Sequence, residues 1–187
     1  MLDSTGPGAL GRTAEKVLDF RMQRAYETNW GWAAMAVSVK KYFSPYEPLT
    51  QCMVVCNAFM ESSCCSKGST PQCNRTHDMG KALKQLNVLN MTSNGKPDFA
   101  QVEKQINDGR PLVLEIMVDV ATKEGTAKRE KLQLALYGYE IVDTANPSII
   151  VQGSHKEDDM IKLPFNGFPG NYRAGSTWET TYLCSGR

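Results

Sequence analysis

The sequence has no charge excess, no long apolar run and almost no histidine. Lys and Arg number 21 against 20 Asp and Glu, for a formal net charge of +1. No segment is strongly basic, so electrostatics implies neither nucleic acid nor an anionic membrane as a partner. No apolar run approaches the roughly 20 residues that cross a bilayer. The opening residues, "MLDSTGPGALGR", lack the charged start and apolar stretch of a secretory signal. Rich in Gly and Pro, they read as a loose lead-in over 1–19, or as a cut end left from a longer parent. Internal repeats and low-complexity blocks are missing too. Histidine is represented only by His77 and His155.

What remains is 187 residues, one domain's worth of chain, with its body at 20–187. Six cysteines are its most informative feature. Five lie in "TQCMVVCNAFMESSCCSKGSTPQC", at Cys52, Cys56, Cys64, Cys65 and Cys73; the sixth, Cys184, is three residues from the end. Zinc is the rival to disulfides, because clustered thiolates bind it. The adjacent Cys64-Cys65 pair fits poorly the two-to-four-residue spacing of zinc modules, and neither histidine stands at a matching offset. Disulfides are therefore expected among these six, with no metal and no cofactor, and with a pairing that spacing does not reveal. Such a pattern points to an oxidising, secreted or exported destination; a cytoplasmic one stays open.

Periodicity divides the chain. "NWGWAAMAVSVKKYF" places Trp32, Ala36, Val39 and Phe43 on one helical stripe, with Asn29 as N-cap and Ser44-Pro45 as the stop. Further helices are expected from Thr50 to about Met60, near Met79–Leu86, and over "PDFAQVEKQINDG", which ends at Gly109. Strands follow in "RPLVLEIMV", "LQLALYGYEIV", "NPSIIVQG" and "STWETTYLC". The polar "DVATKEGTAKREK" between the first two reads as an exposed loop. Helices first and strands second indicate an α+β fold, a helical lobe facing a curled antiparallel sheet.

"NWGWAA" resembles the start of the active-site helix in bacterial papain-like cysteine peptidases, where Asn-Trp-Cys-Trp-Ala-Ala is usual. "TQC" at Thr50-Gln51-Cys52, "CC" at Cys64-Cys65 and "CN" at Cys73-Asn74 are similar to a secreted or effector-type branch of that family. "INDGRPLVLEI" and "LALYGYE" resemble the segments around its histidine strand. The likeness runs in order from about Phe20 to the C-terminus. It implies a papain-like fold with a long central helix packed on the sheet lobe.

The resemblance also exposes a loss. In the family a cysteine opens the long helix, where N-terminal amides and an adjacent histidine lower its pKa; here that position is Gly31. The family's histidine stands six residues before the Gly of the "YGY"-like segment, which maps it to Leu132. The third position, usually Asp or Asn, falls near Gly153, with Asp143 and Asn146 as neighbours in the preceding turn. Gln23 is a candidate for the oxyanion glutamine, although its spacing to Gly31 is longer than usual and a surface or capping role competes with it. Nucleophile and base are lost together, which points to a natural pseudoenzyme rather than an engineered knockout. Glycine disfavours helix by up to about 1 kcal/mol relative to Ala, so Gly31 reads as the mark of a removed side chain. With Leu132 opposite, the reacting pair becomes an apolar slot.

The expected cleft lies between Trp30–Trp32 and the strand at Leu132–Leu134, with Gln23 nearby, and one of the two tryptophans is expected in the core. His155 reads as a solvated loop residue. Glu157, Asp158 and Asp159 lack the alternating oxygen spacing of a calcium loop. Tyr137, Glu115 and Asp119 read as ordinary strand residues. Asn74-Arg75-Thr76 and Asn90-Met91-Thr92 match the glycosylation pattern, which matters only in a eukaryotic host, whereas the likeness is bacterial. Three functions compete. The first is a silenced homologue binding a peptide, protein or small molecule in the former cleft. The second is a repurposed enzyme doing thiol-independent chemistry, such as a biosynthetic cyclisation. The third is an inactivated form of a secreted effector or toxin protease. None is a cysteine protease.

Overall fold

The computed structural model describes residues 13–121, 125, 127–155 and 159–186. The chain starts in the sheet: β1 (Ala14–Val17) pairs antiparallel with the far end of β4 (Ala127–Ile141). Leu18 and Phe20 follow into the core. The boundary expected at residue 19 thus falls inside the folded domain; the part of the lead-in over 1–12 lies outside the described residues. Helices α1 (Gly31–Phe43), α2 (Gln51–Phe59) and α3 (Met79–Gln85) come next, then β2 (Leu89–Asn94) and α4 (Phe99–Asn107). β3 (Leu112–Ala121), β4, β5 (Ser148–Gln152), β6 (Ile161–Pro164) and β7 (Thr177–Cys184) complete an antiparallel seven-stranded sheet. Its order is β2-β7-β3-β4-β5-β6, so it remains open, with β2 and β6 as edges. The α+β class and the four expected helices hold; β1, β2 and β6 are too short and too mixed in pattern to read in advance.

α1 is central for a compositional reason. Gly31 through Val39 are all buried, because the segment is apolar on every side and needs partners on every side. It packs against α2, α3 and β4. The polar stretch expected as a loop between β3 and β4 is instead mostly strand. Asp119↔Arg129 and Ala121↔Ala127 are paired in a long hairpin. The charged alternation there decorates a solvated ribbon, which hydropathy alone does not separate from a loop.

The cysteines form two disulfides, Cys52–Cys65 and Cys64–Cys73. Cys52–Cys65 joins the first turn of α2 to the connection before α3, and Cys64–Cys73 closes a loop within that connection. Closing loops this short limits the unfolded chain by about 2–3 kcal/mol each. Cys56 and Cys184 are free thiols; complete burial in β7 pushes the Cys184 pKa up to about 12 and leaves it unreactive. No helix among the described residues is long and apolar enough to cross a membrane.

Candidate functional site

A cleft of about 540 Å³ opens at the N-terminus of α1. Its helical wall comprises Thr28, Asn29, Gly31 and Trp32 together with Thr76, His77 and Asp78. Glu115, Lys131 and Gln133 face them from β3 and β4, Lys128, Arg129 and Glu130 continue that wall, and His155 closes one end.

The helical wall is positioned by the two tryptophans. Both are 2% exposed. The indole of Trp30 donates to the Cys73 carbonyl at 2.9 Å, and that of Trp32 to the Arg75 carbonyl at 3.0 Å, so each buried N–H is satisfied. Trp30 is core; Trp32 is buried yet presents an edge to the cleft. Its ring lies 4.9 Å from the His77 imidazole, which also meets Phe59 at 5.6 Å. Burial pushes the His77 pKa below its usual value, with Asp78 opposing, so the ring enters the cleft neutral at neutral pH. Asn74 adds to this wall: its Oδ1 accepts from the Asn29 amide at 2.9 Å, its carbonyl from Asn29 Nδ2 at 2.9 Å, and its Nδ2 donates to Thr28 Oγ1 at 2.9 Å.

The opposite wall corrects the expected one. Leu132 pairs with Ile116, and Leu134 with Leu114, whereas Gln133 pairs with Glu115. Directly opposed residues share a face, so the leucines point away from the cleft and Gln133 points into it. Leu134 is fully buried. The six-residue count back from Gly138 to Leu132 runs across a β-bulge. Against β5, Leu136 pairs with Val151 and Gly138 with Ile150, with Tyr137 skipped. Past that extra residue the alternation inverts, and Gly138 shares its face with Gln133. The cleft floor is accordingly polar, not an apolar slot. Glu115, only 5% exposed, accepts from Lys131 Nζ at 2.7 Å and from Gln133 Nε2 at 3.5 Å. The Glu115 contact raises the Lys131 pKa against the burial that lowers it.

Gln23 belongs elsewhere. Its amide donates to Ser38 Oγ at 2.8 Å, and its Oε1 accepts from the buried Gln51. Ser38 stands seven residues along α1 from Gly31, about 10 Å at 1.5 Å per residue. Gln23 lines a separate cavity with Arg21, Lys41 and Tyr42, and no oxyanion role at Gly31 follows. Among the other strand residues, Tyr137 is buried and stacks on Phe20 at 5.3 Å, and Asp119 pairs with Arg129 at 3.5 Å. Asp159 pairs with Arg24 at 3.2 Å; Glu157 and Asp158 lie outside the described residues.

The room expected at Gly31 is partly filled. A Cβ on Gly31 would lie 2.9 Å from Ser154 Oγ and 3.8 Å from His155 Nε2. Gly153 itself is buried, and the chain beyond it carries Ser154 and His155 up to α1. Ala25 N donates to the Ser154 carbonyl at 2.9 Å, and Arg24 Nη1 to that of His155. His155 is therefore a cleft residue. Both histidines of the chain thus line one cleft, a convergence hidden by a separation of 78 positions in sequence.

Neither of the free thiols, Cys56 and Cys184, lines this cleft. Among the described residues no group of three His, Cys, Asp or Glu side chains is arranged to hold a metal ion. No family model and no curated protein matches the chain.

Proposed function

We propose that this protein is a silenced homologue of papain-like cysteine peptidases that binds a peptide, protein or small molecule in the cleft at Gly31. The observation that carries the reading is chemical: the motif-bearing helix opens onto a cleft with no thiol in it. Four of the six cysteines are in disulfides and the other two lie off the cleft. Thiolate catalysis needs a nucleophile beside a base; this cleft keeps imidazoles and lacks the sulfur. The disulfides support a secreted or exported setting.

The convergence of His77, His155 and the buried Glu115 favours a second reading, acid–base chemistry without a thiol in the same cleft. Both readings place the working surface at one site. Native mass spectrometry of protein isolated from its own host tests this: wild type retains a bound compound, and Gln133→Trp, which fills the cleft from the sheet wall, loses it. Equal retention by that variant would move the working surface elsewhere. Turnover of the compound that disappears in His77→Gln would select the second reading, and its unchanged release would select the first.

A further inference from the structure

We infer that the cavity beside Gln23 is a second ligand site, in which the Gln23 carboxamide and the Lys41 ammonium hold the carboxylate of a small organic acid whose flat apolar body lies against Tyr42. It is separate from the Gly31 cleft and does not rest on the function proposed for that cleft.

The cavity measures about 740 Å³, within the range of small-molecule sites and larger than the cleft of about 540 Å³. Met22, Tyr42 and Pro45 supply its apolar wall. Tyr42 is fixed at both ends. Its hydroxyl donates to the Gly109 carbonyl at 3.0 Å, and its ring meets Phe20 at 6.0 Å and Phe43 at 5.0 Å. Burial, with Asp19 nearby, raises the pKa of the phenol and keeps it neutral. The cavity thus has a flat wall whose polar end is already occupied.

The Gln23 carboxamide is oriented by a chain of bonds that begins at a backbone donor. The Tyr26 amide can only donate, and it donates to Gln51 Oε1 at 3.1 Å. The other end of Gln51, its Nε2, donates to the Arg24 carbonyl at 2.8 Å and to Gln23 Oε1 at 3.2 Å. Gln51 is fully buried, which holds this chain in place. Gln23 Oε1 is therefore turned toward Gln51, and the Gln23 backbone amide is taken by Ser38 Oγ at 2.8 Å. Neither bond uses Gln23 Nε2. A carboxamide held by its oxygen keeps its N–H donors for what enters the cavity.

Charge decides what those donors receive. Arg21 and Asp19 also line the cavity. They pair at 3.5 Å with side chains 87% and 86% exposed, a weak contact in which their charges cancel. Lys41 is half-buried. Among the described residues no carboxylate pairs with it, whereas its neighbour Lys40 is held by Glu47 at 3.0 Å. The last turn of a helix favours a cation, so the lysine by itself marks no site; a fixed amide donor on the same cavity does. One net positive charge results, which a singly charged carboxylate balances.

The experiment is an amide-resolved NMR titration of the intact protein with cinnamate, cinnamamide, acetate and inorganic phosphate. Cinnamate should displace the Ser38, Lys41 and Tyr42 resonances saturably, about tenfold more tightly than cinnamamide, because only the acid makes a charge-assisted contact. Lys41→Gln should weaken cinnamate about fivefold and leave cinnamamide unchanged. Gln23→Glu keeps an oxygen for Gln51 but replaces the Nε2 donors with a carboxylate oxygen, and should abolish cinnamate binding while the spectrum stays folded. Gln133→Trp, which fills the Gly31 cleft, should leave cinnamate binding unchanged. Equal binding of acid and amide, or no effect of Lys41→Gln, would overturn the carboxylate assignment. Acetate or phosphate binding as tightly as cinnamate would overturn the role of the apolar wall. Displacement of Gly31 and Trp32 in place of these resonances, or loss of binding in Gln133→Trp, would put the acid in the cleft and overturn the second site. Silence from all four probes would overturn it as well.

Discussion

The helical wall of the cleft is fixed by two disulfides, two buried indoles and three hydrogen bonds to Asn74. Residues 128–131 of the sheet wall are all exposed. One wall is held by covalent closure and packed aromatic area. The other is held by backbone pairing and ends in long charged side chains whose ion pairs, Lys128–Glu130 at 3.2 Å and Arg129–Asp119 at 3.5 Å, are solvent-exposed and weak. Such a pair suits a cleft that positions one part of a ligand rigidly and adapts to the rest, because ordering a flexible side chain costs about 0.5–1.5 kcal/mol at binding.

The largest expected effect would break this contrast directly. Trp32→Ala should lower the unfolding free energy by about 3–5 kcal/mol, since it empties a buried ring site and orphans the Arg75 carbonyl. Lys128→Ala should stay within about 0.5 kcal/mol. Urea unfolding of both variants measures the difference; similar values would mean that the two walls are not distinct in rigidity.

A smaller effect sharpens the role of Gly31. Gly31→Ala gains helix propensity but drives a methyl against Ser154 Oγ at 2.9 Å, and overpacking of this kind costs about 1–3 kcal/mol. Ser154→Gly should relieve most of that cost, so the double-mutant cycle should show coupling of about 1 kcal/mol or more. Additive effects would place the constraint on Gly31 elsewhere. Gly31→Leu, which an empty slot would accept, should be poorly tolerated for the same reason.

The smallest effect is in pH. The folded His77 pKa lies below its ordinary value of 6.5, mainly through burial. As pH falls through 6.5 the unfolded chain takes up the proton first. Stability therefore rises with pH in that window and declines as pH drops toward the lowered folded value. His77→Gln should flatten the stability profile between about pH 7.5 and 5.5; an unchanged slope would assign the dependence to other groups.

Much of this could be read before the structure. Thr50 and Asp98 cap helices that begin where the pattern starts them, with side chains accepting from Met53 and Gln101, because capping acts within four residues. α1 begins one residue later than Asn29 suggests, because that side chain bonds the Asn74 carbonyl across the cleft wall instead. The same locality explains the misses. One extra residue at Tyr137 in β4 exchanges the two faces of the strand, and no propensity announces it. Placing Leu132 in the cleft follows from the six-residue count back from Gly138; the pairing of Gln133 with Glu115 puts Gln133 there instead.

The sequence by itself determined the elements: an apolar α1 that must be surrounded, cysteines close enough in sequence to staple one loop, and a glycine at the start of α1. These depend on neighbours along the chain. Only the tertiary structure decided the site, which joins Gly31, His77, Glu115, Gln133 and His155 from five separate segments. It also decided that Ser154 fills the space beside a glycine more than a hundred positions earlier. Such contacts follow from strand register and from the packing of α1 on the sheet, and both are set by the sum of many small burial energies rather than by any local pattern.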